Sequence, residues 1–334
     1  MAFFPEGRNL DFVALGRAGL DLYAAEEETG FNEVVSFKKH VGGSPGNITA
    51  MLATLGRRTG LLTKVSDDAV GRYVLSYFDS IGTDTSQIRK DGSGSRTSLA
   101  ITEMKPRDCA VVIYRNRASD QLMLSEEISE DYIAGAAGLV VSGFALSESP
   151  GREAALTAVQ YARRRGTRVI LDIDYRPYSW RASVDASLYL GLVAEKADIL
   201  VGNDEEFAIL NQLMHPKAGP DSHEAVKPWL ESGCSLVIYK QGGGKGAVAF
   251  SKDGQAHEGR LYQTKVRKPF GAGDAFLGTV LHYLMKDWNI PLAMDRGAAA
   301  ASIVISRDSC SSSSPTEREI EDFIARYEEG DSDA

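Results

Sequence analysis

The residues best suited to chemistry lie in the segment 268–278, which contains a Gly-Ala-Gly-Asp run. The apolar stretch after this run predicts a helix from about Asp274 to Met285. Backbone N–H groups at the positive end of such a helix can hold a phosphate, provided that the residues there are small; the small residues here are Gly271, Ala272 and Gly273. Asp274 lies at the mouth of this anion hole, where it can accept the proton of an attacking hydroxyl group. The alternative, an ordinary helix start with Asp274 as N-cap, would not require glycine on both sides of Ala272.

A second candidate site is the run from Gly42 to Asn47, which precedes a predicted helix over 48–55. Backbone freedom at Gly42 and Gly43, followed by an asparagine near a helix start, suits the binding of a polyol. A simple turn with a helix cap remains the alternative.

A third candidate is an acidic run that directly follows a predicted strand over 198–201. Asn203 and Glu206 are three residues apart at the carboxyl end of this strand, so they could hold magnesium through water. The alternative is a helix N-terminus enriched in acidic residues.

A fourth candidate is the glycine-rich loop after the predicted strand 236–239. Its candidate nucleotide-binding residues are Lys240, Gly242, Gly243 and Gly246. The loop lacks a Ser or Thr after a Gly-Lys pair and no helix follows, so it is not a Walker P-loop. A glycine turn beside a nucleotide and a plain hairpin loop to the strand 247–250 both remain open.

These candidates need a scaffold, and the chain alternates short apolar runs with amphipathic stretches. Strands are predicted at 12–16, 61–65, 138–142, 168–172, 198–201 and 236–239, and helices at 48–55, 70–81, 152–165, 188–196 and 292–305. This alternation predicts a parallel sheet with helices on both faces. Asp172, Asp174, Asn203 and Lys240 then lie at carboxyl ends of strands, where such folds bind ligands.

Two stretches interrupt the alternation. The stretch 23–41 contains the strand-like run 34–38, and the stretch 98–115 contains two more such runs, 99–102 and 110–114, around a turn. We expect them to form a small sheet that projects from the main one, rather than edge strands of the main sheet.

Composition narrows the function classes. The 334 residues carry a formal net charge of −9, without the basic face of a nucleic-acid-binding protein. No apolar run reaches the roughly 18 residues of a membrane span, and the N-terminus shows no signal peptide. Three cysteines, far apart and without metal-ligand spacing, fit a reducing cytoplasm.

The motifs together resemble the ribokinase-like (PfkB) carbohydrate kinases, over nearly the whole chain. The family's glycine-pair motif is matched by Gly42, Gly43 and Asn47, its GAGD motif by residues 271–274, and its N-x-x-E motif by Asn203 and Glu206. Asp21, five residues after Gly16, matches an early aspartate that contacts substrate in this family. The resemblance implies an α/β/α Rossmann-like sandwich, with a β lid formed by about 22–42 and 96–117 within a single kinase domain over 1–334. It also implies a homodimer through that lid.

Three stretches, 172–180, 268–270 and 310–316, resemble more closely the branch of inositol catabolism that phosphorylates 5-dehydro-2-deoxy-D-gluconate. The resemblance implies ATP and Mg²⁺ as cofactors, a primary hydroxyl of a sugar-derived keto acid as acceptor, and Asp274 as base. The carboxylate of the keto-acid substrate needs an arginine to bind it, and Arg115 and Arg176 are the candidates. One departure is Lys268-Pro269, where relatives usually have Asp-Thr and the aspartate helps to bind a monovalent cation. A lysine would place a positive charge near the same place, which argues against potassium activation.

Other functions remain to be tested against this expectation. Kinases of 2-keto-3-deoxygluconate, fructose or ribose share the motifs, and a nucleotide-binding regulator without turnover would share the fold. An NAD-dependent oxidoreductase would require a GxGxxG run after the first strand, and the sequence after Gly16 does not supply its third glycine.

Overall fold

A computed structural model describes residues 2–241 and 245–330 of the chain. The strands are β1 (Leu10–Leu15), β2 (Gly19–Glu27), β3 (Phe37–Gly42), β4 (Thr59–Ser66), β5 (Ile88–Asp91), β6 (Leu99–Met104), β7 (Val111–Tyr114), β8 (Ala136–Ser142), β9 (Arg168–Asp172), β10 (Ile199–Asn203), β11 (Leu236–Lys240), β12 (Ala247–Ser251) and β13 (Ala256–Glu258). The helices are α1 (Ser44–Thr54), α2 (Ala69–Ser80), α3 (Glu130–Ala134), α4 (Gly151–Arg165), α5 (Ser183–Ala194), α6 (Asp204–Met214), α7 (Ser222–Glu231), α8 (Ala272–Asp287), α9 (Ile290–Ile305) and α10 (Glu317–Glu328). Among these helices, none is both long and apolar enough to cross a membrane.

The chain forms two compact units, and the first consists of Met1–Gly16 and Gln121–Leu261. Its sheet has the strand order β13-β12-β11-β10-β9-β8-β1. The pairs from β1 to β11 are parallel, whereas β12 and β13 add to the edge in antiparallel fashion. Strands β8 and β9 are almost wholly buried, as expected for a sheet covered by helices. The sheet therefore aligns the carboxyl ends of β9, β10 and β11 at one edge.

The second unit consists of Arg17–Asp120 and Tyr262–Ala334. It contains a parallel pair, β4 and β5, and a smaller sheet with the order β3-β2-β6-β7. Within the smaller sheet β2 pairs antiparallel with β3 and parallel with β6. Strand β7 pairs antiparallel with β6 and is an edge strand. Helices α9 and α10 share a hydrophobic cluster with α1 and with the start of α8.

The sequence prediction of an α/β protein with a large sheet and a smaller one is confirmed. In the smaller sheet, one strand was misplaced and another was missed. Residues 34–36 are not part of a strand, because the register of β3 against β2 pairs Phe37 with Ala24 and Gly42 with Gly19; Val35 is instead 86% exposed. The strand β2 was not predicted, since its residues lie in a stretch without clear alternation.

Candidate active site

The first turn of α8 contains the proposed base. The helix begins at Ala272, two residues before the predicted start, so Ala272, Gly273 and Asp274 form its first turn and Gly271 is the N-cap. The prediction placed all three small residues before the helix; it was wrong because glycine and alanine adopt helical geometry once the turn at Gly271 has formed. The first N–H groups of a helix have no partner within the helix. This turn therefore presents main-chain donors next to a carboxylate.

Gly271 is required here for two physical reasons. Its φ of +85° lies in the left-handed region, which residues with a side chain rarely adopt. A Cβ at this position would also collide with the sulfur of Cys310. The turn that starts α8 is thus packed directly on Cys310.

Asn47 contacts the proposed base. Its Nδ2 donates a hydrogen bond of 2.7 Å to Oδ2 of Asp274, across 227 residues of sequence. The contact forms because α1 and α8 pack together, with Met51 and Ala275 in one hydrophobic cluster. Asn47 Oδ1 is buried and accepts no hydrogen bond from the described residues. An acceptor of this kind suits a hydroxyl group of a bound polyol.

Asp21 and the glycine pair also lie together. Asp21 is buried, accepts a hydrogen bond of 2.9 Å from Arg17 and receives the hydroxyl of Tyr23 at 3.2 Å. A Cβ on Gly42 would collide with the Asp21 carboxylate. The glycine therefore makes room for a buried charge, a function that sequence reasoning did not assign to it. Arg17 and Tyr23 were missed, because neither belongs to a motif.

Both arginines proposed for the substrate carboxylate are paired with aspartates. Arg115 is buried, and its Nε and one terminal nitrogen each lie 2.7 Å from Oδ2 of Asp120. Arg176 is 46% exposed at its side chain and lies 2.7 Å from Asp174 Oδ1. Arg115 belongs to the second unit and Arg176 to the first. Either residue would have to share its charge with an aspartate when it binds a carboxylate.

At the carboxyl edge of the large sheet, Asn203 and Glu206 form a capping box at the start of α6. Asn203 Oδ1 accepts from the Glu206 N–H at 2.9 Å, and Glu206 Oε2 accepts from the Asn203 N–H at 2.7 Å. The N–H of Tyr175 donates to the other Glu206 oxygen at 3.2 Å. The acidic helix start that the sequence left open as an alternative is therefore present.

The side chain of Lys240 lies next to two acidic residues at the carboxyl edge of the large sheet, Asp172 and Glu206. Its Nζ lies 3.4 Å from Asp172 Oδ1 and 3.8 Å from Glu206 Oε2, because β9, β10 and β11 end at the same edge. Gly246 forms a turn, with φ of +79° and its carbonyl accepting from Gln241 N–H at 2.8 Å. Gly242 and Gly243, proposed for nucleotide binding, lie outside the described residues.

These side chains fit magnesium only through water. Mg²⁺ usually keeps several of its waters and contacts few protein carboxylates. Both Glu206 oxygens already accept main-chain hydrogen bonds, so direct ligation would open the capping box. Over residues 2–241 and 245–330, no three His, Cys, Asp or Glu side chains come together as a metal cluster. If Mg²⁺ binds at this place, Asn203 and Glu206 would contact it through its water shell.

Comparison with known sequences identifies close relatives. The profile of the pfkB family carbohydrate kinases matches residues 9–317. The 5-dehydro-2-deoxygluconokinase of Geobacillus kaustophilus is 42% identical over 333 residues, which make up 99% of this chain and 98% of the relative. A protein of the same name from Photobacterium profundum is 43% identical over 324 residues, 97% of each chain.

Solved structures with low sequence identity share the fold. A putative ribokinase II from E. coli, in complex with ATP and Mg²⁺, superposes with a TM-score of 0.85 at 20% identity, over 95% of this chain and 99% of that one. A fructokinase from Xylella fastidiosa with bound ATP superposes with a TM-score of 0.82 at 18% identity and the same coverage. These superpositions confirm the predicted ribokinase-like α/β fold.

Proposed function

Because this chain belongs to the pfkB family of carbohydrate kinases, we propose that it transfers the γ-phosphoryl group of Mg-ATP to 5-dehydro-2-deoxy-D-gluconate, giving the 6-phosphate. The choice of substrate is supported by relatives that carry the name 5-dehydro-2-deoxygluconokinase and are 42–43% identical over nearly their whole length. The family match over 9–317 includes segments of both compact units, which supports one kinase domain.

The observation that carries the proposal is the hydrogen bond between Asn47 and Asp274. This hydrogen bond joins the predicted polyol-binding segment to the predicted catalytic segment. A sugar kinase needs the two side by side, because the base must reach the hydroxyl group that the binding segment holds. In the proposed reaction Asp274 accepts the proton of the primary hydroxyl group. The main-chain N–H groups of Gly271, Ala272 and Gly273 stabilise the charge on the transferring phosphoryl group. Phosphoryl transfer depends mainly on positioning and charge stabilisation, and these groups supply both.

The remaining roles follow the same division. Asp21, Gly42, Gly43 and Asn47 hold the sugar hydroxyl groups. Gly42 does so indirectly, by making room for the Asp21 carboxylate. Asn47 Oδ1, which accepts no hydrogen bond within the described part of the chain, supports this assignment for Asn47.

For the nucleotide, we propose that Lys240 and the loop residues Gly242, Gly243 and Gly246 contact ATP, and that Asn203 and Glu206 order the water shell of Mg²⁺. The bound ATP and Mg²⁺ in the E. coli structure of the same fold support these cofactors. The contacts of Lys240 with Asp172 and Glu206 support a role for this charged edge. Mg²⁺ supplies charge neutralisation of the phosphates when it is bound.

One arginine, Arg115 or Arg176, binds the substrate carboxylate. The two assignments differ in a measurable way. Replacing the binding arginine by methionine raises KM for the keto acid and leaves KM for a neutral ketose unchanged, whereas replacing the other leaves both unchanged.

We also propose a homodimer through the smaller sheet and a cytoplasmic location. Apolar side chains on and beside β3 and β7 are exposed, and a second copy would cover them; they are Val35, Phe37, Val111, Val112 and Tyr114. Cys109, Cys234 and Cys310 are free thiols, which suits a reducing compartment.

The proposed function is tested with Asp274→Asn and a panel of sugars, with ADP formation as the readout. Turnover of the keto acid falls by about 10²- to 10⁴-fold, the usual contribution of a general base, while ATP still binds. Asp287→Asn, the same change at the other end of α8, retains wild-type turnover. Wild-type turnover in Asp274→Asn refutes the assigned base. A preference for ribose, fructose or 2-keto-3-deoxygluconate refutes the assigned substrate.

A further inference from the structure

The second unit contains a fully buried lysine close to the proposed base. Lys268 has 0% exposure and lies six residues before Asp274. Lysine is almost never buried completely unless other groups compensate for the loss of water around its ammonium. The contacts of this side chain therefore show what the charge is held by.

The ammonium of Lys268 has three kinds of neighbour. Its Nζ donates to the carbonyl of Phe270 at 3.0 Å and to the sulfur of Cys310 at 3.5 Å. It also lies 5.1 Å from the centre of the Phe270 ring, within the range of a cation–π contact. A carbonyl oxygen, a polarisable sulfur and a ring face are groups that stabilise a dehydrated cation.

These neighbours connect the ammonium to the catalytic turn. Phe270 directly precedes Gly271, the N-cap of α8, and Gly271 packs against Cys310. The same sulfur of Cys310 also accepts a hydrogen bond from the hydroxyl of Tyr23, at 3.3 Å. A shift of the Lys268 side chain would thus disturb the turn whose N–H groups are proposed to hold the phosphoryl group.

The charge of Lys268 also interacts with nearby acidic groups. Burial lowers the pKa of Lys268, and Cys310, Asp274 and Asp308 act against this shift. Asp274 is therefore within electrostatic reach of the ammonium. A protonated Lys268 would attract bound phosphates as well as the base.

We propose that Lys268 is a built-in monovalent cation: its ammonium fixes the Phe270–Gly271 backbone beneath the anion hole and adds positive charge there, so that turnover needs no added potassium ion. The inference rests on the proposed phosphoryl transfer. Lys268 is a positioning residue, because it acts through the Phe270 carbonyl and the start of α8 rather than by touching substrate.

The test compares wild type with Lys268→Met in buffers of equal ionic strength that contain choline, sodium, potassium or ammonium chloride. Wild-type kcat is the same in all four. In choline, kcat of Lys268→Met falls by roughly 10- to 100-fold, less than the loss of a group that contacts the transition state directly, and KM for the sugar changes little. Potassium or ammonium ions restore part of this loss, because they occupy the space left by the ammonium. A lysine with a merely structural function would not give such rescue.

Lys286→Met is the matched control, since Lys286 is an exposed residue of α8 paired with Glu317. It retains wild-type kcat and responds to no ion. Circular dichroism and thermal unfolding report whether each variant folds. If Lys268→Met does not fold, the wild-type measurement decides alone: indifference to potassium supports the inference, and activation by potassium overturns it.

Two further outcomes overturn the inference: wild-type kcat in Lys268→Met, or a folded Lys268→Met whose loss no small cation repairs. A wild type without turnover on any sugar contradicts the proposed function instead. In that case the same ion comparison is made on the affinity for Mg-ATP by calorimetry, where rescue of Lys268→Met supports the inference and the absence of rescue overturns it.

Discussion

The turn at Gly271 allows a quantitative test of the local structure. We consider Gly271→Ala, which adds one methyl group at the N-cap of α8. The substitution has two separable consequences: the alanine residue must adopt a φ of +85°, and its Cβ must displace Cys310. Each consequence has its own free energy, and the chain offers a control that isolates the first.

Gly82 is that control. It has φ of +75°, and a Cβ there would have no neighbour within 4 Å. Gly82→Ala should therefore reduce the free energy of unfolding only by the cost of left-handed geometry, about 1–2 kcal/mol. Gly271→Ala should lose that amount and in addition about 1–3 kcal/mol for overpacking against Cys310. The expected difference between the two variants is thus about 1–3 kcal/mol.

The assay is urea unfolding of the two alanine variants and of the double variant Gly271→Ala, Cys310→Ala. The second change removes the sulfur that the new Cβ would meet. The remaining Cys310 Cβ would lie 3.0 Å away, which is still tight. We therefore expect a favourable coupling free energy in the double-mutant cycle that recovers most of the overpacking cost, since the two residues are in contact. The cost of left-handed geometry remains.

Two results would refute this reasoning. Equal losses in Gly271→Ala and Gly82→Ala would mean that no collision with Cys310 occurs. A coupling free energy near zero would mean that the collision is relieved by movement elsewhere, and that the start of α8 is not fixed by Cys310.

Three further predictions concern pH, magnesium and assembly. Burial alone would raise the pKa of Asp91, but hydrogen bonds from serine neighbours lower it to about 2. Wild type should therefore be more stable than Asp91→Asn above about pH 4, where the carboxyl group is ionised in both the folded and the unfolded chain. This difference, measured from urea midpoints, should vanish as the pH falls towards about 2. Asn203→Ala and Asn289→Ala each remove a helix N-cap and should each lose about 1 kcal/mol of stability. Only Asn203→Ala should need more Mg²⁺ for half-maximal kinase activity. Equal Mg²⁺ requirements in the two variants would contradict a role of Asn203 in ion binding. Val112→Asp should convert the dimer to a monomer in sedimentation experiments. Val184 lies in α5 and is similarly exposed (46%, against 43% for Val112), so Val184→Asp should leave the dimer intact. A dimer in both variants would exclude the smaller sheet as the interface.

Several features of the fold could be predicted from sequence because they depend on neighbours along the chain. Periodicity identified β9, α4 and β11 nearly to the residue, since a buried strand or an amphipathic helix leaves its pattern in consecutive residues. The start of α8 was misplaced because glycine and alanine carry no pattern. The bounds of β3 were misplaced because pairing with β2, rather than the two valines before it, selects the strand.

The candidate site divides in the same way. The sequence by itself determined the α/β class, the order of the motifs and the membership in a kinase family, because these follow from residue types at fixed spacing. Only the tertiary structure decided that Asn47 contacts Asp274, that Asp120 neutralises Arg115, and that Lys268 lies between Phe270 and Cys310. The partners Asn47 and Asp274 are 227 residues apart, and Tyr23 and Cys310 are 287 apart. Such contacts arise when helices and strands pack, and no local pattern of residues records which distant side chain will fill the neighbouring space.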